Sequence, residues 1–126
     1  MKKVLIVDDI YGWRKYHKEV IENLLESVQI DLADSARVAY DLIIENNNEP
    51  YNIIITDMQM ENDYEPLYAG EWLIHQIRTF KNYKNTKIII ISSAPNIKTI
   101  AEAESVDFIR KATAIDFPDA YDIINQ

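Results

Sequence analysis

The chain has 126 residues, 48% of them hydrophobic, a formal net charge of -8 at pH 7 and no cysteine. This composition predicts one folded domain over residues 1–126, excludes a disordered chain and a disulfide framework, and argues against direct nucleic-acid binding. Because no apolar stretch reaches membrane-spanning length and the N-terminus has no signal peptide, we expect a cytoplasmic protein without membrane contacts.

Strand and helix patterns alternate along the chain. Short apolar, β-branched runs predict strands, and apolar residues at helical spacing predict helices. Asp34-Ser35 offers an N-cap for the second helix, and Gly70 opens the third. The predicted strands are 2–7, 28–33, 51–56, 87–91 and 106–109, and the predicted helices are 12–27, 35–47, a third from Gly70, 95–104 and 118–125.

This alternation predicts an α/β fold, a doubly wound, five-stranded parallel sheet with helices on both faces. With two glycines and no glycine-rich motif, the chain lacks the signature of a dinucleotide or P-loop nucleotide site. The connection at 58–69 is longer than usual for a strand-to-helix loop. Its acid- and tyrosine-rich part, Glu61 to Tyr68, is either a solvated loop or a partner-specific surface.

Polar groups follow three of the predicted strands. Asp8 and Asp9 end the first strand, Asp57 ends the third, and Ser92-Ser93 ends the fourth. Ligands bind outside the carboxyl ends of strands in such sheets, so we expect these groups to converge. Clustered carboxylates repel one another, and Mg²⁺ with its preference for oxygen ligands would relieve that repulsion. The simpler alternative is that Asp8-Asp9 forms a turn or helix cap.

An aspartate can also act as a nucleophile and form an acyl phosphate. Such a transfer needs positive charge on the phosphoryl oxygens, and Lys111, after the fifth strand, is the candidate cation. Ser93 could donate a hydrogen bond to the same oxygens, with Ser92 as its rival. His17 and His75 have no metal-ligand spacing, and the two tryptophans are interpreted as packing residues.

Five motifs occur in order along the chain: Ile6-Val7-Asp8-Asp9, Ile54-Ile55-Thr56-Asp57-Met58-Gln59-Met60, Gly70 with Leu73 and Ile77-Arg78, Ile90-Ile91-Ser92-Ser93-Ala94, and Phe108-Ile109-Arg110-Lys111. In this combination the chain resembles the receiver domain of the response-regulator family in two-component signalling. The resemblance implies a flavodoxin-like sheet in the order 2-1-3-4-5.

The resemblance also implies a metal site. Asp57 would be the phosphoacceptor, and Asp9 and Asp57 would bind Mg²⁺ directly. Asp8 would assist through water, and the backbone carbonyl of Gln59 would complete the protein ligands.

A second set of roles follows from the same resemblance. Lys111 aligns with the phosphate-pairing lysine, Ser93 with the switch hydroxyl, and Phe108 with the aromatic switch position. Ser93 is preferred over Ser92 because Ala94 follows it, as in the family pattern.

The implied function is that of a phosphorylation-controlled switch. A sensor histidine kinase or phosphotransfer protein would donate the phosphoryl group to Asp57, and affinity for an unidentified downstream effector would change. The domain would assist its own phosphorylation and dephosphorylation without being an enzyme that turns over an external substrate. We expect a monomer or weak homodimer.

Some positions depart from the family pattern and keep alternatives open. Ala112 stands where a proline usually follows the lysine, and Glu61 where a proline is common. These departures motivate a receiver-like interaction module that is not phosphorylated. A magnesium-dependent phosphohydrolase is a third reading, disfavoured because Gln59 rather than an acid lies two residues after Asp57. The short segment after Lys111 leaves open a stand-alone receiver or one cut from a chain with an output domain.

Overall fold

The computed structural model describes residues 1–60 and 67–125. Among these residues, five β-strands alternate with five α-helices, with two additional 3-10 helices at Lys81–Tyr83 and Pro118–Asn125. The strands are β1 (Lys2–Val7), β2 (Val28–Ala33), β3 (Ile53–Thr56), β4 (Lys87–Ser92) and β5 (Asp107–Arg110). The α-helices are α1 (Tyr11–Leu24), α2 (Ala36–Glu45), α3 (Ala69–Ile77), α4 (Ile97–Glu104) and α5 (Lys111–Asp116).

All five strands are parallel and lie in the order β2-β1-β3-β4-β5, which confirms the predicted flavodoxin-like sheet. The central strand β3 is buried along its whole length, as its run of β-branched residues predicts. Val7 pairs with Thr56 across β1 and β3, so the residues that follow these two strands emerge side by side.

The two faces of the sheet carry separate cores because side chains alternate along each strand. On one face, Leu5, Val7 and Ile90 pack against helices α2, α3 and α4. On the other, Val4 and Ile6 pack against α1, α5 and the 3-10 helix 118–125. These packed faces hold the carboxyl ends of β1, β3 and β4 in fixed relative positions.

Local sequence signals explain several helix boundaries. The predicted N-cap of α2 is confirmed, because the Ser35 hydroxyl accepts a hydrogen bond from Val38 N at 3.1 Å. No helix in the described part of the chain is both long and apolar enough to cross a membrane. The interpretation of the Glu61–Tyr68 loop concerns mainly residues 61–66, which lie outside the described residues.

The end of the chain differs from the prediction. We expected one last helix at 118–125, but α5 begins at Lys111 directly after β5, and a 3-10 helix covers Pro118–Asn125. Since Ala112 rather than proline follows Lys111, Lys111 is free to adopt helical dihedral angles as the first residue of α5. Pro118 then limits the extent of α5, whose last turn is closed by the hydrogen bond from Phe117 N to Thr113 O at 2.8 Å.

Candidate functional site

Three carboxylates meet at the carboxyl edge of the sheet, as the strand ends predict. Asp8 and Asp9 follow β1, and Asp57 follows the neighbouring strand β3, where its N–H donates to Val7 O at 2.9 Å. One oxygen from each of the three side chains lies within 4.8 Å of the others. Oxygens so close can share one small divalent cation.

Asp8 forms the floor of this acid pocket and is fully buried. Its Oδ1 accepts a hydrogen bond from Ile10 N at 2.9 Å, and its Oδ2 lies 3.0 Å from Lys111 Nζ. Burial acts to raise the pKa of Asp8, but the contacts with His17, Ile10 N and Lys111 outweigh it and hold the pKa below its usual value. Oδ2 still makes no well-directed hydrogen bond within the described part of the chain, so this buried oxygen has unused acceptor capacity.

Asp9 lies at the exposed rim of the pocket. Partial burial, followed by repulsion from Asp8 and Asp57, raises the pKa of its carboxyl. The folded protein therefore holds Asp9 in an unfavourable electrostatic environment, which a bound cation would relieve. The donor set of hard oxygens, the unused acceptor of Asp8 and the repulsion felt by Asp9 fit a divalent cation.

Asp57 is buried at the centre of the site, with 5% of its surface exposed. Its Oδ1 accepts a hydrogen bond from Met58 N at 2.6 Å, and its Oδ2 accepts one from Lys111 Nζ at 2.8 Å. Both oxygens are thus oriented before any ligand arrives. An aspartate held in this way can present a lone pair to an electrophile in a defined direction.

Gly70 lets α3 pack directly behind Asp57. A Cβ at this position would lie 2.2 Å from the Asp57 carbonyl oxygen and 2.8 Å from Met58 Cα. The Gly70 N–H donates to Met58 O at 3.0 Å, so the first turn of α3 is joined to the backbone of the site. Glycine is required at position 70 because any side chain there would collide with the backbone of Asp57 and Met58.

Lys111 joins the two buried acids from the other side. Its ammonium bridges Asp57 and Asp8, and it lies 5.0 Å from the centre of the Trp13 ring, within cation–π range. Burial acts to lower the pKa of Lys111, but the attraction of Asp57 and then Asp8 raises it above its ordinary value. The site therefore contains one buried, charged lysine facing a cluster of acids.

The two candidate hydroxyls differ in environment. Ser92 is buried at the end of β4, and its Oγ accepts a hydrogen bond from Ala94 N at 3.2 Å. Ser93 follows with an exposed side chain. Because Ser92 is already part of the turn, Ser93 is the hydroxyl that is accessible to a ligand at this edge.

The remaining predicted residues lie at the periphery. Gln59 is exposed two residues after Asp57. Phe108 is half-buried in β5, paired with Ile90, and belongs to the core on the α2–α4 face. The Arg110 guanidinium lies 5.7 Å from the centre of its ring.

The sequence did not lead us to predict that His17 is buried beside the acid pocket. It is 1% exposed in the middle of α1, with Nε2 at 3.9 Å from Asp8 Oδ2. The available signal was its position inside the apolar stripe of α1, one residue after Tyr16 and four after Trp13. A titratable side chain in a buried stripe needs a polar partner. His75, by contrast, lies on α3 and contacts Glu104 Oε1 at 2.7 Å.

Comparison with known protein families and solved structures agrees with the observed fold. A family model, the response regulator receiver domain, matches residues 4–117. The chemotaxis protein CheY4 of Vibrio cholerae superposes with a TM-score of 0.69 at 22% identity, covering 88% of this chain and 87% of that chain.

Two further structures share the fold. The signal receiver domain of a DNA-binding response regulator (merR) from Colwellia psychrerythraea 34H has a TM-score of 0.76 at 17% identity, with 100% of both chains covered. The Mn²⁺-bound form of response regulator Rcp1 has a TM-score of 0.68 at 15% identity, covering 86% of this chain and 78% of that chain.

Proposed function

The chain belongs to the response regulator receiver domain family of two-component signalling, and from this premise we propose that it accepts a phosphoryl group on Asp57. The observation that carries the proposal is the position of Asp57, buried beside two further aspartates and in hydrogen-bond contact with Lys111. Residues 1–126 form one receiver domain in this proposal.

The transfer takes place at the carboxylate of Asp57. One of its oxygens attacks the phosphorus of a phosphohistidine on a sensor kinase or phosphotransfer protein. The new O–P bond forms as the P–N bond breaks, and the departing imidazole keeps the electron pair and takes a proton from solvent. Lys111 stays next to the acyl phosphate and stabilises its negative oxygens.

Asp9, Asp57 and the backbone carbonyl of Gln59 would hold the metal ion, with Asp8 acting through water. Bound Mg²⁺ supplies positive charge to the carboxylates and to the phosphoryl oxygens. The 4.8 Å cluster of acid oxygens supports this assignment. So does Rcp1, a relative of the same fold that binds Mn²⁺.

The exposed hydroxyl of Ser93 donates to a phosphoryl oxygen in this proposal, and Phe108 changes its packing as the switch responds. Phosphate shifts the population of two states only if it binds one of them better, and the Lys111 and Ser93 contacts supply that preference. The readout is altered affinity for a downstream effector.

The domain promotes its own phosphorylation and dephosphorylation and turns over no external substrate. It acts in the cytoplasm as a monomer or weak homodimer, without direct contact with nucleic acid or membrane.

Incubation with Mg²⁺ and acetyl phosphate, followed by intact-mass measurement, tests the proposal. We expect one phosphoryl adduct on the wild-type chain and on the control Asp34→Asn, and none on Asp57→Asn. Asp34 is a matched control because it is an exposed aspartate directly after β2.

Two outcomes would overturn the proposal. No adduct with acetyl phosphate or with a phosphorylated kinase would favour the non-phosphorylated interaction module, which the α5 start at Lys111-Ala112 motivates. Steady hydrolysis of a generic phosphomonoester would favour the phosphohydrolase.

A further inference from the structure

A buried polar chain leads from the acid pocket through α1 to the last helical segment. His17 Nδ1 lies 2.6 Å from the hydroxyl of Tyr121, which belongs to the 3-10 helix Pro118–Asn125. His17 Nε2 faces Asp8 Oδ2 at 3.9 Å. His17 is 1% exposed and Tyr121 is fully buried, so both contacts are shielded from solvent. Such contacts are strengthened by the low dielectric constant of the interior.

The hydrogen positions in this chain follow from the partners available. Burial, with smaller contributions from Tyr16 and Asp8, raises the pKa of Tyr121, so its hydroxyl keeps its proton. Within the described part of the chain, the Tyr121 hydroxyl has His17 as its one hydrogen-bond partner. A buried O–H must donate, and therefore Nδ1 accepts. With Nδ1 as the acceptor, the ring hydrogen lies on Nε2, the nitrogen that faces Asp8.

The imidazole is also held in place by packing. Its ring centre lies 5.3 Å from that of Trp13 and 5.8 Å from that of Tyr121. At 3.9 Å the contact between Nε2 and Asp8 Oδ2 is longer than a hydrogen bond, so its effect on the carboxylate is electrostatic. Ile10 N fixes the other oxygen of Asp8 at 2.9 Å. Lys111 Nζ lies 3.0 Å from Oδ2, so the carboxylate is held by these two close contacts and receives an added electrostatic attraction from the Nε2 side of His17.

We propose that His17 and Tyr121 are positioning residues for the acid pocket, and that through Asp8 they couple metal binding to the placement of the 3-10 helix 118–125. This inference rests on the metal role of Asp8 in the proposed function. Coupling between two sites is reciprocal, so metal binding must stabilise the segment to the extent that the segment favours metal binding. The contacts from Asp8 through His17 to Tyr121 lie on the face of the sheet that α1 and α5 cover, opposite the face that holds Phe108.

Two substitutions of one residue separate the two contacts. His17→Gln places an amide N–H near the position of Nε2 and removes the acceptor for Tyr121. His17→Asn places an oxygen near the position of Nδ1 and removes the group facing Asp8. We expect His17→Asn to weaken Mg²⁺ binding about tenfold, the lower end of the range for outer-shell partners of metal ligands. We expect His17→Gln to weaken Mg²⁺ binding less than His17→Asn does, since it keeps the contact with Asp8 and loses only the positioning contact with Tyr121.

Calorimetric titration with Mg²⁺ measures these affinities, and urea unfolding of the same variants reports their stabilities. An equal loss of Mg²⁺ affinity in both variants, in proportion to lost stability, would assign His17 a purely structural role and overturn the inference. A wild-type chain that binds no Mg²⁺ would overturn the proposed function itself. A wild-type chain that binds Mg²⁺ only as tightly as His17→Asn does would overturn the positioning role alone.

Amide hydrogen exchange of residues 118–125 tests the coupling. We expect Mg²⁺ to slow exchange in the wild type and to have no such effect in Tyr121→Phe, although that variant still binds Mg²⁺. Tyr16→Phe is the matched control, because the Tyr16 hydroxyl donates to Ala114 O at 2.8 Å and its removal leaves the hydrogen bond between His17 and Tyr121 in place. Protection by Mg²⁺ that persists in Tyr121→Phe would contradict the coupling.

Discussion

Lys111 Nζ donates a hydrogen bond to Asp57 Oδ2 at 2.8 Å, although β4 separates the strands that these residues follow. The same ammonium lies 3.0 Å from Asp8 Oδ2 and is almost completely buried. One lysine thus neutralises part of an acid cluster in a site with little solvent. In the absence of a metal ion, the Lys111 ammonium offsets part of the negative charge of Asp57 and Asp8, the carboxylates on which the proposed phosphoryl transfer depends.

Removal of this lysine should destabilise the metal-free protein. Lys111→Met leaves two buried carboxylates without their cation, and we expect a loss of about 3 kcal/mol in the free energy of unfolding. Urea unfolding in the presence of a chelator measures the loss, and added Mg²⁺ should recover part of it. Lys98→Met, at an exposed position of α4, is the control and should change stability by less than about 0.5 kcal/mol. An unchanged stability of Lys111→Met would contradict the role assigned to the ion pair.

The two glycines should respond oppositely to alanine. Gly70→Ala brings a methyl group to 2.2 Å from the Asp57 carbonyl oxygen, and we expect a loss of about 3 kcal/mol together with shifted amide resonances of Asp57 and Met58. Gly12 lies in the first turn of α1, where a methyl group would enter open space among the described residues. Gly12→Ala should therefore be neutral or stabilising by up to about 1 kcal/mol. Urea unfolding compares the two variants, and equal effects would argue against close packing of α3 on the site.

Asp9 should make stability depend on pH in the direction opposite to a salt-bridged acid. Burial and repulsion raise its pKa in the folded protein, so the folded state binds the proton more tightly than the unfolded state does. Stability therefore falls as pH rises from the ordinary value of 3.8 through the raised pKa, and the penalty persists at neutral pH.

Asp9→Asn removes this penalty, so the metal-free variant should be more stable than the wild type at neutral pH and equal to it below pH 3.8. It should also lose the rise in melting temperature that Mg²⁺ gives the wild type. Thermal unfolding with and without Mg²⁺ measures both effects, with Asp34→Asn as control. A variant less stable than the wild type at neutral pH would refute the electrostatic account of Asp9.

Alanine substitution of Ser92 should affect stability, whereas that of Ser93 should affect the rate of phosphorylation. Ser92→Ala removes the acceptor of the hydrogen bond from Ala94 N and should lower the free energy of unfolding by about 1 kcal/mol. Ser93→Ala should leave stability within about 0.5 kcal/mol of the wild type. We expect it to slow phosphorylation by acetyl phosphate about tenfold, less than for a buried donor because the Ser93 hydroxyl is exposed. Slower phosphorylation in Ser92→Ala alone would reverse the assignment.

Much of the fold and the acid cluster followed from local patterns. Short apolar runs such as Ile53–Thr56 are long enough for a strand buried on both faces, and their alternation with helices predicts a parallel sheet. Parallel strands share one carboxyl edge, and acids that directly follow such strands meet there. The clustering of Asp8, Asp9 and Asp57 could therefore be predicted from their positions after apolar runs. Family resemblance added the strand order and the roles of individual residues.

The sequence by itself therefore determined the sheet, its carboxyl edge and the acids on it, because strand periodicity and strand ends are local properties. Tertiary structure decided which serine is buried, where α5 begins, and how His17 is paired. His17 and Tyr121 are 104 residues apart, and their contact depends on how α1 and the last helical segment pack on the sheet. No local pattern encodes that packing, since many helix placements bury the same apolar stripe equally well.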